Sequence, residues 1–187
     1  MNNAKRLKDL EKLELKDSSL PLKSTATNLV FGEGNPQAQV FFLGEAPGKQ
    51  EDLTGKPFIG SAGKILTKLL ESIALKREDV FITSVLHYRP PKNRDPKPFE
   101  IAAFQKYVDE QIKIIRPKIV VTLGRYSLKK FLPDAKIAEV HGKPHQLTFN
   151  KNQLTIIPMY HPAAVIYNRK LQKTLEEDFK KISKELK

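Results

Sequence analysis

The chain is 187 residues long, enough for one domain with a sizeable core. It has no cysteine, which excludes structural disulfides and thiolate metal ligands and fits a reducing compartment, and no apolar run reaches the length of a membrane span. Lys and Arg number 33 against 21 Asp and Glu, a formal charge of +12; this points to a polyanionic partner, nucleic acid first, although a solvated lysine-rich surface gives the same count.

Residues 1–27 read as an N-terminal helix and arm, and 28–187 as one domain. The first sixteen residues lack the apolar stretch of a signal peptide, so a soluble, cytoplasmic protein is expected. Leucines at 7, 10, 13 and 15 predict a short amphipathic helix over Lys5–Lys16. Asp17–Asn28 is loop, and Gly32–Pro36 is a turn feeding a first strand, Gln39–Leu43. That strand stops in Gly44-Glu45-Ala46-Pro47-Gly48, and a polar, Gly-rich loop runs to Gly63. Apolar residues at 62, 65, 66, 69, 70 and 73 predict a helix over Ser61–Ile73, followed by a second strand, Val80–Thr83.

Four prolines between His87 and Pro98 forbid regular structure there. A helix is predicted over Phe99–Ile115, a third strand over Ile119–Leu123, and a short helix over Arg125–Phe131. Residues 134–150 are irregular, with room for a hairpin. A fourth strand, Leu154–Pro158, leads into Tyr160-His161-Pro162, and a charged helix over about 170–186 closes the chain. Short apolar strands separated by helices predict a parallel sheet with helices on both faces. Such a sheet gathers the residues after each strand at one edge, where ligands bind.

Several residues on that edge have suitable chemistry. Glu45 is placed to orient or activate a water, whereas Glu51 and Asp52 also read as solvated loop charges. Phe58, in a Gly/Pro loop, suits stacking on a planar base and equally suits anchoring its own loop. Gly60 and Ser61, at a helix start, present backbone N–H groups to a phosphate, or simply cap the helix. His161 is a candidate donor to a developing anion, although a lone histidine is more often structural. Arg89, Lys92, Arg94 and Lys97 sit on a proline-stiffened loop that suits backbone phosphates. His87, His141 and His145 have no metal-ligand spacing with His161, so no metal site is expected. There is no nucleophile elbow, P-loop or dinucleotide fingerprint.

Together, Val30–Pro36, Leu43–Gly48, Glu51-Asp52, Gly55–Gly60, Arg89–Pro96 and His161–Ala164 resemble family 4 of the uracil-DNA glycosylase superfamily, in order and in register from about residue 28 to 183. The resemblance implies a three-layer α/β/α sandwich with a four-stranded parallel sheet. It implies base flipping and hydrolysis of the N-glycosidic bond of uracil in single- or double-stranded DNA, releasing free uracil and leaving an abasic site for base excision repair. By motif, Glu45, Glu51, Asn93 and His161 would support catalysis; Gly44, Ala46, Phe58 and Ser84 would bound the base. Gly60, Ser61, Arg89, Arg94, Ala163 and Val165 would meet the DNA backbone, with the segment to Tyr167 entering the minor groove.

A monomer is expected. Two departures stand out. The family's [4Fe-4S] ligand positions fall near Asp17 and Leu20 and at Tyr88 and Phe104, where no residue can supply a thiolate, so no cofactor is expected. Ser84 stands where an asparagine usually reads the uracil edge, and losing a bidentate contact costs about 1–3 kcal/mol in discrimination. Another deaminated base as substrate, or a catalytically weak DNA-binding member of the fold, are the alternatives.

Overall fold

The computed structural model describes residues 2–186. Glu33–Gly34 (β1), Val40–Gly44 (β2), Phe81–Ser84 (β3), Ile119–Leu123 (β4), His145–Phe149 (β5) and Asn152–Met159 (β6) form one sheet of order β1-β3-β2-β4-β6-β5. Every residue of β2, β3 and β4 is buried, which is why they read as unbroken apolar runs rather than alternating ones.

The four predicted strands are the parallel centre, β3-β2-β4-β6. The sheet nevertheless has six strands, because β1 and β5 add antiparallel edges. β1 lies inside the predicted Gly32–Pro36 turn. It approaches β3 so closely that a Cβ on Gly34, whose φ is +129°, would lie 1.9 Å from the Val80 carbonyl oxygen. β5 pairs with β6 as a hairpin turning at Asn150 and Lys151, both with positive φ.

The helices are Asn3–Lys16 (α1), Lys49–Thr54 (α2), Ser61–Glu71 (α3), Pro98–Ile115 (α4), Arg125–Phe131 (α5), Ile137–Val140 (α6), Ala164–Tyr167 (α7) and Leu171–Glu185 (α8). α2, α6 and α7 were not predicted: each is six residues or fewer, too short to show a helical period. On one face of the sheet, Leu7 and Leu10 of α1 and Phe104, Val108 and Ile112 of α4 pack with Phe41, Leu43 and Val120. On the other, Leu66 and Leu70 of α3 and Phe179 and Ile182 of α8 pack with Phe42, Ile82 and Val121. The result is three layers, α/β/α. No helix among the described residues is long and apolar enough to cross a membrane.

The four positions that the family resemblance assigns to cluster ligands form a filled patch between α1 and α4. Leu20, Tyr88 and Phe104 are buried in the core, with the Tyr88 and Phe104 rings edge to face at 6.0 Å. The Asp17 carboxylate accepts from Lys106 Nζ at 2.8 Å and from the Tyr107 hydroxyl at 2.7 Å. With no thiolate among them, and with Leu20, Tyr88 and Phe104 buried in the core, the residues do not fit an iron–sulfur cluster.

The hydrogen bond from Lys106, with those from Ser19 and Tyr107, holds the Asp17 carboxyl well below the usual carboxylate range. The folded state therefore binds fewer protons here than the unfolded chain. The stabilisation is complete above the unfolded carboxyl's range and is lost as pH falls. Asp17→Asn is expected to lower the melting temperature at neutral pH and to flatten its fall between about pH 5 and about pH 2. Identical profiles for the two proteins would contradict that role.

Candidate active site

Because β3, β2, β4 and β6 run parallel, their carboxyl ends share one edge. The chain leaves β2 for β3 on one side and later returns to place β4 on the other, so the crevice opens where the connections diverge. A cleft of about 400 Å³ lies there.

Glu45 follows the last residue of β2 and is partly buried beside the cleft. Burial raises its pKa, the Asp95 charge adds to the rise, and Arg125 opposes it. The ring of Phe58 lies over Gly44: a Cβ on residue 44 would come 2.5 Å from Phe58 Cζ. Only glycine leaves the strand end open to the ring. Phe58 itself has a positive φ of 51°, a left-handed conformation that turns its loop into the cleft. Ser84, at the end of β3, lies beside Gly44 and lines the same space.

His161 enters from the end of β6, its ring centroid 5.6 Å from that of Phe58. Its Nδ1 accepts the Ala163 backbone N–H at 3.2 Å, so the proton of the neutral ring belongs on Nε2. Burial lowers its pKa to about 4, against a smaller opposing effect of the Glu51 charge. Near neutral pH this is an uncharged imidazole with an N–H to donate.

Glu51 has another task. One carboxylate oxygen accepts from the backbone N–H groups of Ile59 and Gly60 at 2.9 and 2.8 Å, and the other from Gly48 at 3.1 Å. It fastens the Phe58 loop to the turn after β2. Asp52, buried beside it, accepts from Thr27 and so ties the 27–28 segment to α2.

The proline-rich loop is fixed by its own side chains. Lys92 and Asn93 both have φ of 55°, and Asn93 Oδ1 accepts from Arg89 Nε at 2.7 Å, leaving the Asn93 NH2 for a ligand. Arg94 makes a double hydrogen bond to the buried Glu100 at 2.9 and 2.6 Å, so its charge is committed within the protein.

Of the residues to which the family resemblance gives a catalytic, base-binding or backbone role, all but Gly44, Arg89 and Val165 line the cleft; Gly44 lies beneath Phe58, and Arg89 braces Asn93, while Asp52, Lys92 and Lys97 lie outside the cleft lining. Val165 is 8% exposed and packs in the core, whereas Ile166 and Tyr167 are 51% and 90% exposed. The short α7 turns the outward position one and two residues along.

Lys49 and Ile166 also line the cleft, and Arg125, hydrogen-bonded to Asp95 at 2.6 Å, acts on Glu45. No pattern in the sequence marked Lys49, whereas Ile166 belongs to the segment to Tyr167 that the family resemblance sends into the minor groove. Among the described residues, no three of His, Cys, Asp and Glu are grouped to hold a metal ion.

The family model for the Uracil DNA glycosylase superfamily matches residues 31–187. A type-4 uracil-DNA glycosylase from Sulfurisphaera tokodaii is 50% identical over 162 residues, covering 83% of this chain and 74% of its own. Those of Archaeoglobus fulgidus and Thermotoga maritima are 46% and 41% identical, covering 86% and 89% of this chain and 83% and 87% of theirs.

Removing the Glu51 carboxylate should free three backbone N–H groups. Glu51→Ala is expected to cost about 2 kcal/mol of stability in a urea titration, and to speed hydrogen exchange at the Ile59 and Gly60 amides. Unchanged exchange at both amides would remove the fastening role.

Proposed function

Because this chain belongs to the uracil-DNA glycosylase superfamily, we infer that the cleft at the ends of β2, β3 and β6 is where it hydrolyses the bond between uracil and deoxyribose. The protein is a DNA glycosylase that excises uracil from DNA in base excision repair. The observation that carries the site assignment is the placement of a neutral His161 with its Nε2–H available, a stacking ring at Phe58 and a carboxylate at Glu45 around one cleft.

The deoxyuridine leaves the stack and its base lies on Phe58. The Ser84 hydroxyl offers one donor and its lone pairs to the base edge. As the C1′–N1 bond breaks, its electron pair passes to the uracil base, and charge builds on the carbonyl oxygen facing His161. The Nε2–H of the neutral ring donates to that oxygen and stabilises the charge. Ionised Glu45 stabilises the developing positive charge on the sugar and orients a water; the water oxygen bonds to C1′ and its proton leaves through the carboxylate. The uracil anion takes up a proton from solvent as Glu45 gives one up, so the products are free uracil and an abasic site.

Ile166 and Tyr167, exposed at the rim, fill the gap left by the flipped base. Lys49, the backbone N–H of Ser61 and the Arg89 loop face the phosphates, the Gly60 N–H being held by Glu51. The protein acts as a monomer in the cytoplasm on either single or double strands.

Single-turnover cleavage of uracil-containing oligonucleotides tests this reading. The wild type should excise uracil, and His161→Ala should be slower by about 100-fold. The rate requires ionised Glu45, so it should fall as pH drops, with a midpoint above the ordinary 4.5 of a glutamate; His161, near 4, protonates only below that. An acid limb that persists in Glu45→Gln would assign it elsewhere. Tyr167→Ala should slow excision from duplexes more than from single strands, which have less stacking to open; equal effects on both would remove Tyr167 from that step.

A further inference from the structure

The Glu14 carboxylate and the His87 ring are both wholly buried, 73 residues apart in sequence and 2.7 Å apart in space. Glu14 belongs to α1, and His87 lies three residues beyond Ser84. On the far side of the ring, His87 Nε2 is 3.1 Å from Thr83 Oγ1. The Thr83 hydroxyl donates its proton to the Phe31 carbonyl at 2.9 Å, so it accepts from His87 Nε2–H. The proton between Nδ1 and Glu14 then completes an unbroken relay, Glu14–His87–Thr83–Phe31. The rings of Phe31 and Phe104 pack against the imidazole, with centroids 5.9 and 5.7 Å away.

This relay contributes little net stability by its chemistry. A buried hydrogen-bonded pair of this kind barely recovers the cost of removing it from water, and Glu14 Oε2 has no partner among the described residues. Its geometric reach is greater. The segment it grips continues the strand pairing past β3: Val85 N–H donates to Gly44 O and Leu86 N–H to Glu45 O, both at 3.1 Å. The His87 carbonyl accepts from Val30, which lines the cleft, at 2.8 Å. Ser84, Glu45 and Val30 therefore all depend on where residues 83–87 sit.

We propose that the Glu14–His87–Thr83 relay makes α1 a positioning element of the uracil pocket, with Glu14, His87 and Thr83 as positioning residues that act through Ser84 and the Gly44–Glu45 turn. The inference rests on the glycosylase reading. α1 is thereby a working part of the enzyme, docked beside the patch of Asp17, Leu20, Tyr88 and Phe104.

The full-length protein and two kinds of variant test it, each assayed well below its own melting temperature. Glu14→Ala removes the partner of His87. Glu14→Gln keeps it, because the amide NH2 donates to Nδ1 and leaves Nε2–H on Thr83. Thr83→Val removes the hydroxyl at nearly constant shape and serves if Glu14→Ala does not fold.

Glu14→Ala and Thr83→Val should lower the single-turnover excision rate by about tenfold or more, the scale on which small misplacements of reacting groups act. Their affinity for undamaged DNA should not change, and Glu14→Gln should restore most of the rate. Folded Glu14→Ala or Thr83→Val protein that excises uracil at the wild-type rate would overturn the proposal, even with a lowered melting temperature. A wild type that fails to excise uracil in the same assay would instead overturn the glycosylase reading.

Discussion

The parallel register of β3, β2, β4 and β6 is the constraint on which the site depends. Parallel strands end on the same side, so Gly44, Ser84 and Met159, each the last residue of its strand, stand at one edge although Gly44 and Met159 are 115 positions apart in the chain. The sheet also dictates what can follow. With no side chain at residue 44, an aromatic ring can lie on the strand end, and Phe58 does. That ring needs a loop to carry it and something to hold the loop, and the Glu51 carboxylate supplies the hold through three backbone N–H groups.

Carboxylates of similar sequence context take different tasks according to what surrounds them. Glu51 and Asp52 are filled by backbone donors and build the walls. Glu45 has no such donors, is partly buried beside Asp95, and has its pKa raised as a result. Glu14 is buried deepest and holds a histidine. The same contrast holds for the histidines: His161 accepts a backbone N–H and keeps one proton toward the cleft, whereas both nitrogens of His87 are engaged by side chains. The environment, not the residue type, separates a reacting group from a supporting one.

The buried strands, the long helices and the gathering of Glu45, Phe58, Ser84 and His161 at one edge were legible in the sequence, because apolar runs and helical periods carry them. α2 was not, since Lys49–Thr54 is too polar and short to show a period and is set by a glycine at each end and the Glu51 side chain. β1 has two residues and exists only because Gly32 and Gly34 allow a close approach. The inward Val165 and outward Ile166 could not be told apart without the one-turn α7. Arg94 reads in the sequence as free for a phosphate, but Glu100, six residues on, faces it and takes its charge. The Glu14–His87 pair joins two elements that no spacing rule connects.

The account turns on a neutral His161 that donates from Nε2 to the departing uracil. Nitrogen-15 NMR of the imidazole across a pH titration reads both its charge and its tautomer. The expected result is a neutral ring with the proton on Nε2 near neutral pH, protonating only at about 4. A ring already cationic near its ordinary 6.5, or one with its proton on Nδ1, would contradict it.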